Sequence, residues 1–305
     1  MQRYVMRRLL ASAATVVVVV LMVFVLSRAT GDPTYMILGD DATSEDIVAL
    51  RQRLGLDKPL IAQLGIWVWN VLHGNAGDSL KFNEPVVKLY LSALPNTMKL
   101  AGVAILGALL VAIPLGVIAA VKRASIIDRA AASVAVLGMA APSFWIGIVL
   151  IYLFSVQLGW LPTSRMGGPD HYVLPAIAMG ASMMAGVMRL VRSSMLEVLD
   201  SEFVKLARIK GLTEARVYWR HSLRNALIPV LTLTGVLMGY LVAGAIVVET
   251  VFAWPGVGRL TYSAVWFRDY ELLQFAVTIK VVFVVMINLV VDVLYAFVDP
   301  RIRYA

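Results

Sequence analysis

Glu202-Phe-Val-Lys-Leu-Ala-Arg-Ile-Lys-Gly-Leu212, continued by His221-Ser-Leu-Arg-Asn-Ala-Leu-Ile-Pro229, is a polar, basic, helix-compatible stretch lying between two long apolar spans. Phe203, Ala207 and Gly211 recur every four residues, so a helix would carry them on one face. One bulky knob and two small positions suit close docking in a cleft. Lys205 and Arg208 lie off that stripe and either meet acidic groups or stay solvated. The plainer reading is a basic loop kept on the inner side of a membrane by its charge.

Composition decides what surrounds that loop. The 305 residues are 60% hydrophobic and 15% charged, with a mean hydropathy of +0.81, which does not describe a soluble globular domain. There is no cysteine, so neither a disulfide framework nor a thiolate metal site is available. A net charge of +8 suggests nucleic acid until the basic residues are located; most fall in loops that flank apolar spans. The fold class expected is an all-α polytopic membrane protein.

Six spans of bilayer length are readable: about Leu9–Leu26, Met98–Val121, Ala132–Leu158, Tyr172–Met195, Ile228–Val251 and Leu272–Val298. Pro114, Pro142 and Pro175 interrupt them, which neighbouring helices can tolerate. Arg3, Arg7 and Arg8 followed by Ser27-Arg28-Ala29 loosely suggest a cleaved leader, but the apolar run is too long for one. Arg3, Arg7 and Arg8, then Lys122, Arg123 and Arg129, then the run from Lys205 to Arg224, and finally Arg301 and Arg303 fall on one side of the membrane. The positive-inside rule therefore places both termini in the cytoplasm.

The organisation expected is a first transmembrane helix in 1–28 and a small extracytoplasmic subdomain in 29–95. A five-helix core in 96–298 with a cytoplasmic loop at 196–227 follows, then a cytoplasmic tail in 299–305. Within 29–95, Asp40, Asp41, Ser44, Glu45 and Asp46 read as a turn and a capped helix start. Leu60–Leu72, with Trp67 and Trp69, reads as a second helix near the membrane surface.

Ionisable residues in spans are costly and mark function or pairing. Asn288 and Asp292 share a face at i, i+4, and pairing suits Asp292 better than substrate contact. Lys280 either snorkels to the interface or attracts a substrate carboxylate. Glu249 ends the fifth span, where it could hold a gate. Met183, with Met179, Met184 and Met188, and Met238 either line an adaptable pathway or fill gaps between helices; packing is the commoner role. Arg189 and Arg192 reach toward the inner interface, and Trp160, Trp254 and Trp266 fit an interfacial belt. His73, His171 and His221 are too scattered to form a metal site.

The motifs together resemble one family. Glu202, Ala207, Gly211 and Ile228-Pro229 match the "EAA" loop of ABC-importer permeases. Gly31-Asp-Pro33, Leu54-Gly-Leu-Asp-Lys-Pro-Leu60, Leu94-Pro-Asn-Thr97 and Leu158-Gly-Trp-Leu-Pro-Thr163 occur in order along the chain. Glu249-Thr-Val-Phe-Ala-Trp-Pro-Gly-Val-Gly258, Asn288-Leu-Val-Val-Asp-Val-Leu-Tyr295 and Asp299-Pro-Arg-Ile-Arg-Tyr304 complete the set. The whole chain resembles the B-type permease of the dipeptide/oligopeptide/nickel ABC importers, glutathione members included. Phe203 stands where that family often has tyrosine, and Asn75 interrupts an expected glycine-aspartate element.

The resemblance implies a type I importer fold in the bacterial inner membrane, moving peptides delivered by an extracytoplasmic solute-binding protein. It further implies a heterodimer with a second, homologous permease above two ABC ATPase subunits. Glu202, Phe203, Lys205, Ala207, Arg208, Gly211 and Leu212 would dock the ATPase. Glu249, Lys280, Asn288, Asp292, Met183 and Met238 are pathway or gate candidates. No GxxxxGK[ST] phosphate loop occurs in the chain, so ATP and Mg2+ would be bound by the ATPases; this chain would hold no cofactor or metal and would not be an enzyme. Glutathione and nickel chelates remain alternative substrates. An ion-coupled secondary transporter and a structural membrane subunit are competing classes. No nucleic-acid role is expected.

Overall fold

The computed structural model describes residues 2–29, 31–32, 34, 38 and 43–298. The expected tail at 299–305, and Pro33, Asp40 and Asp41, lie outside the described residues. Among the described residues all regular secondary structure is helical. Five helices are long and apolar enough to cross a membrane, or six if one sharply broken pair is a single span. The chain divides into two compact units, Met1–Thr97 with Pro255–Leu289 and Met98–Trp254 with Val290–Ala305.

In the first unit, α1 (Gln2–Ala29) is followed by α2 (Ser44–Arg53) and α3 (Leu60–Leu72). Thr43 caps α2: its hydroxyl accepts from the Asp46 amide and the Asp46 carboxylate accepts from the Thr43 amide. This capping box satisfies two donors that a helix start otherwise orphans. The first part of α4 (Val86–Val121), α11 (Val257–Trp266) and the first part of α12 (Tyr270–Val298) complete the unit. Its core gathers Val86, Tyr90, Ala93, Val257, Ala264, Leu272 and Phe275, with Tyr90 edge-on to Phe275 at 5.4 Å.

Asp269, fully buried, accepts from Ser79 Oγ at 2.5 Å and from the Leu272 amide at 3.2 Å. It thereby caps α12 and ties down the turn at Ser79, some 190 residues away in sequence. Within this unit the 29–95 segment packs with α1, α11 and α12.

The second unit is built around α7 (Val173–Leu199), which packs against α5 (Ile126–Ala140), α6 (Ser143–Leu150) and α10 (Leu223–Val251). Its core is rich in small residues, with Ala101, Ala104, Ala108 and Ala112 of α4 facing Met179, Met183, Met188 and Val191 of α7. Small side chains let helix backbones approach where lipid gives no hydrophobic drive. At Gly116 a Cβ would lie 2.7 Å from Val191 Cβ and 2.8 Å from the Met188 carbonyl, so only glycine fits that crossing.

The span expected at Ala132–Leu158 is not one straight helix. α5 ends at Ala140, Ala141 is extended, and α6 restarts after Pro142, continuing in a π-helical turn to Gln157 with a bend of 108°. Proline lacks an amide hydrogen and pushes the residue before it out of the helical region, which accounts for the break. Trp254 also departs from expectation. It is fully buried, edge-on to Tyr172 at 4.7 Å, whereas Trp160 and Trp266 are exposed as belt residues should be.

Candidate functional site: a capped helix on a small platform

α7 ends at Leu199, and after Ser201 the chain forms α8 (Glu202–Ile209). Glu202 in its first turn and Arg208 in its last complement the helix dipole. The end of α8 is closed by Gly211, with φ +77°. The Gly211 amide donates to the Arg208 carbonyl at 2.9 Å and the Leu212 amide to the Ala207 carbonyl at 3.3 Å. These two bonds are the Schellman arrangement, which needs a left-handed residue after the helix and pairs an apolar residue beyond it with one inside. Leu212 supplies that apolar contact: it packs on Val204, Ala207 and Val217 together with Val198, Leu199 and Tyr218.

Thr213, with extended φ and ψ, begins α9 (Glu214–Arg216), which runs through a π-helical turn, Val217–Ser222, into α10. Arg208 grips Glu214 with Nε–Oε1 2.9 Å and Nη2–Oε2 3.3 Å; the hydrogen bonds to Glu214 hold the Arg208 pKa above its ordinary value. Lys205 pairs with Glu202 at 2.8 Å in the open. The loop is therefore a short helix bolted to a platform.

That platform changes which face is offered. Ala207 is buried, so the expected Phe203/Ala207/Gly211 stripe is split: Ala207 faces the small core with Val204, and a Cβ on Gly211 would meet nothing within 4 Å. The covered side is set by Val217, a residue beyond the helix. The outward apolar residues are Phe203, Leu206 and Ile209, at 42%, 56% and 80% exposure. In sequence, α8 lies between the candidate spans Pro169–Leu199 and Glu214–Gly239.

The remaining candidates are dispersed. Met183 is buried and lines a 120 Å3 cavity with Ser143, Met179, Ser182, Leu237, Leu241 and Val248; Met238 is exposed and outside that lining. Glu249 is fully buried. Lys280 and Asn288 are half-buried on the part of α12 that belongs to the first unit, and the Asp292 side chain is outside the described residues.

One pair was not legible in the sequence. Arg192 of α7 grips Asp128 of α5 through Nε–Oδ1 2.5 Å and Nη2–Oδ2 2.8 Å. Sixty-four residues separate them, and neither shows a local signal of the other.

α8 is thus a short helix set, in sequence, between two candidate membrane spans of a helical unit. The chain matches the family described as binding-protein-dependent transport system inner membrane component over residues 112–304, and that family's N-terminal region over residues 1–101. It is 41% identical over 305 residues, all of both chains, to the glutathione transport system permease protein GsiC of Salmonella choleraesuis (strain SC-B67). Identity to GsiC of Escherichia coli (strain K12) is 40% over the same full length. Among solved structures, the MetNI methionine ABC transporter in an inward-facing form has a TM-score of 0.58 at 17% identity, covering 69% of this chain and 96% of that one. An amino acid ABC transporter crystallised with histidines has a TM-score of 0.51 at 19% identity, covering 68% and 92%. These two establish a shared permease fold and nothing finer.

The chain belongs to the binding-protein-dependent permease family of ABC importers. It is a non-enzymatic, multi-pass inner-membrane subunit of an assembly that includes ATPases and a binding protein.

Proposed function

We propose that this chain is one half of a peptide-conducting pathway, paired with a homologous second permease and driven by two ATPases docked on α8. The observation that carries the proposal is the outward Phe203/Leu206/Ile209 face on a rigidly held helix outside the spans. ATP and Mg2+ belong to the ATPases in this reading, and a solute-binding protein delivers the cargo. ATP binding moves the helix, and the bundle shifts between inward- and outward-open states to the extent that ATP and loaded binding protein prefer one of them. Full-length identity of 40–41% to glutathione permeases makes glutathione, itself a tripeptide, the first cargo to test, before other peptides and nickel chelates.

In proteoliposomes carrying both permeases, the ATPases and the binding protein, labelled glutathione or dipeptide should accumulate only with ATP inside. Omitting the second permease should abolish uptake. Robust import by this chain as a homodimer would overturn the pairing.

Both termini and α8 are assigned to the cytoplasm and α2 to the outside. Single cysteines at Ser44→Cys and Ala215→Cys, both exposed positions in a chain without natural cysteine, test this. An impermeant thiol reagent added to intact cells should label the first and spare the second; the reverse pattern inverts the topology.

A further inference from the structure

Arg189 lies on α7, inside the apolar span Pro169–Leu199. Its neighbour Arg192 is occupied by Asp128, but among the described residues no carboxylate forms an ion pair with Arg189. An arginine in a bilayer span is costly and marks a ligand or partner charge by default.

Arg189 borders a cleft of about 610 Å3 with Ser182, Gly186 and Ser193 of α7, Met139 of α5, and Leu233 and Leu237 of α10. That volume lies within the range of small-molecule sites, roughly 300–1,000 Å3. Ser182, Gly186, Arg189 and Ser193 follow one another at spacings of four, three and four, so they form a single polar face. Ser182, Arg189 and Ser193 are all exposed along it.

Depth favours a passing solute over a lipid phosphate. Asp128 sits in the first turn of α5, just after Lys122 and Arg123, so its partner Arg192 marks the inner end of the span. Arg189 is three residues, about 4.5 Å, nearer the span centre. Side chains on a helix lean toward its N-terminus, which here turns Arg189 away from the inner headgroups rather than toward the inner interface expected from the sequence.

We infer that Arg189 is the specificity-determining cation of the pathway, holding the C-terminal carboxylate of the peptide. A guanidinium can grip a carboxylate with two parallel hydrogen bonds. Ser182 and Ser193 offer hydroxyls to the peptide backbone, while Met139, Leu233 and Leu237 present adaptable apolar walls. This rests on the peptide-importer reading proposed above.

The test uses the full reconstituted complex, with a dipeptide and its C-terminal amide as probes, each at a concentration that saturates the binding protein. Wild type should import the free acid faster. Arg189→Gln should slow the acid by about tenfold or more, as expected for removing one partner of a desolvated charge pair, and change the amide little. The acid-to-amide ratio then collapses toward one, while Arg189→Lys keeps part of the preference.

Equal slowing of both probes, or loss of the second permease from the purified complex, would assign Arg189 to a partner carboxylate and overturn the inference. An unchanged ratio with uptake that depends on anionic phospholipid would assign it to a lipid phosphate, with the same consequence. A wild type that imports acid and amide equally also overturns it. A wild type that imports neither sinks the peptide reading itself, and the inference with it.

Discussion

Leu206→Glu and Ile209→Glu are expected to leave the permease inserted and abundant while releasing its ATPases and abolishing uptake. Both side chains stand outside the small core of Val204, Ala207 and Val217, so a carboxylate there disturbs nothing within the chain. In a docked interface the same carboxylate would be buried without a partner, which is expensive. Central apolar anchors carry most of an interface's energy, about 2 kcal/mol or more each. Losing one anchor and adding a buried charge should weaken attachment by about a hundredfold, roughly 3 kcal/mol. Co-purification of the ATPases, with membrane abundance as control, reads the effect.

Two comparison variants separate docking from folding. Ala207→Glu would force a carboxylate into the small core and undo the platform, so its defect says nothing of the surface. Lys205→Ala removes only an exposed pair with Glu202, an interaction contributing little. Gly211→Leu is intermediate: φ +77° strains any side chain by about 1–2 kcal/mol, but nothing stands near enough to clash. If Leu206→Glu and Ile209→Glu both retain their ATPases and transport, the outward face of α8 is not the coupling surface.

The contrast between Ala207 and Leu206 shows where sequence reading runs out. Hydropathy located the spans because lipid contact and length are local properties. The end of α8 was also legible, since Gly211 and Thr213 signal a stop and a restart by their own conformational preferences. The exposed side of α8 was not, because a four-residue stripe identifies a face without saying what covers it. Val217, Val198 and Leu199 decide that, and they belong to neighbouring segments. The same holds for Trp254, read as a belt residue from its place near a span end and buried in fact against Tyr172. At Pro142 the signal was present, but whether a proline kinks a span or breaks it depends on the helices that receive the freed backbone groups.

Breaking the Asp128–Arg192 pair should be the most damaging single change to the fold of the second unit. Asp128 is 5% exposed, and its carboxylate accepts from both Arg192 nitrogens and from the Ala124 amide at 2.9 Å. Its own amide donates to Ser125 Oγ at 3.3 Å, so the same residue helps close the start of α5. The Ala124 contact also holds that alanine at φ +63°, a conformation that non-glycine residues avoid. Asp128→Ala therefore removes a charge pair and the anchor of a strained turn together, while its backbone amide keeps the Ser125 cap.

Removing one member of a buried pair costs about 3–5 kcal/mol, mostly because the other charge is stranded. The Arg192 side chain is 32% exposed, so water can recover part of its solvation and the low end of that range applies. Replacing both members by apolar residues should cost less than either single change, because no charge is then stranded. The measurement is a double-mutant cycle on thermal unfolding of the purified complex, with Asp128→Leu, Arg192→Met and the combination. Additive losses across the cycle would mean that the two side chains do not stabilise each other, and that the turn at Ala124 alone accounts for the effect of Asp128.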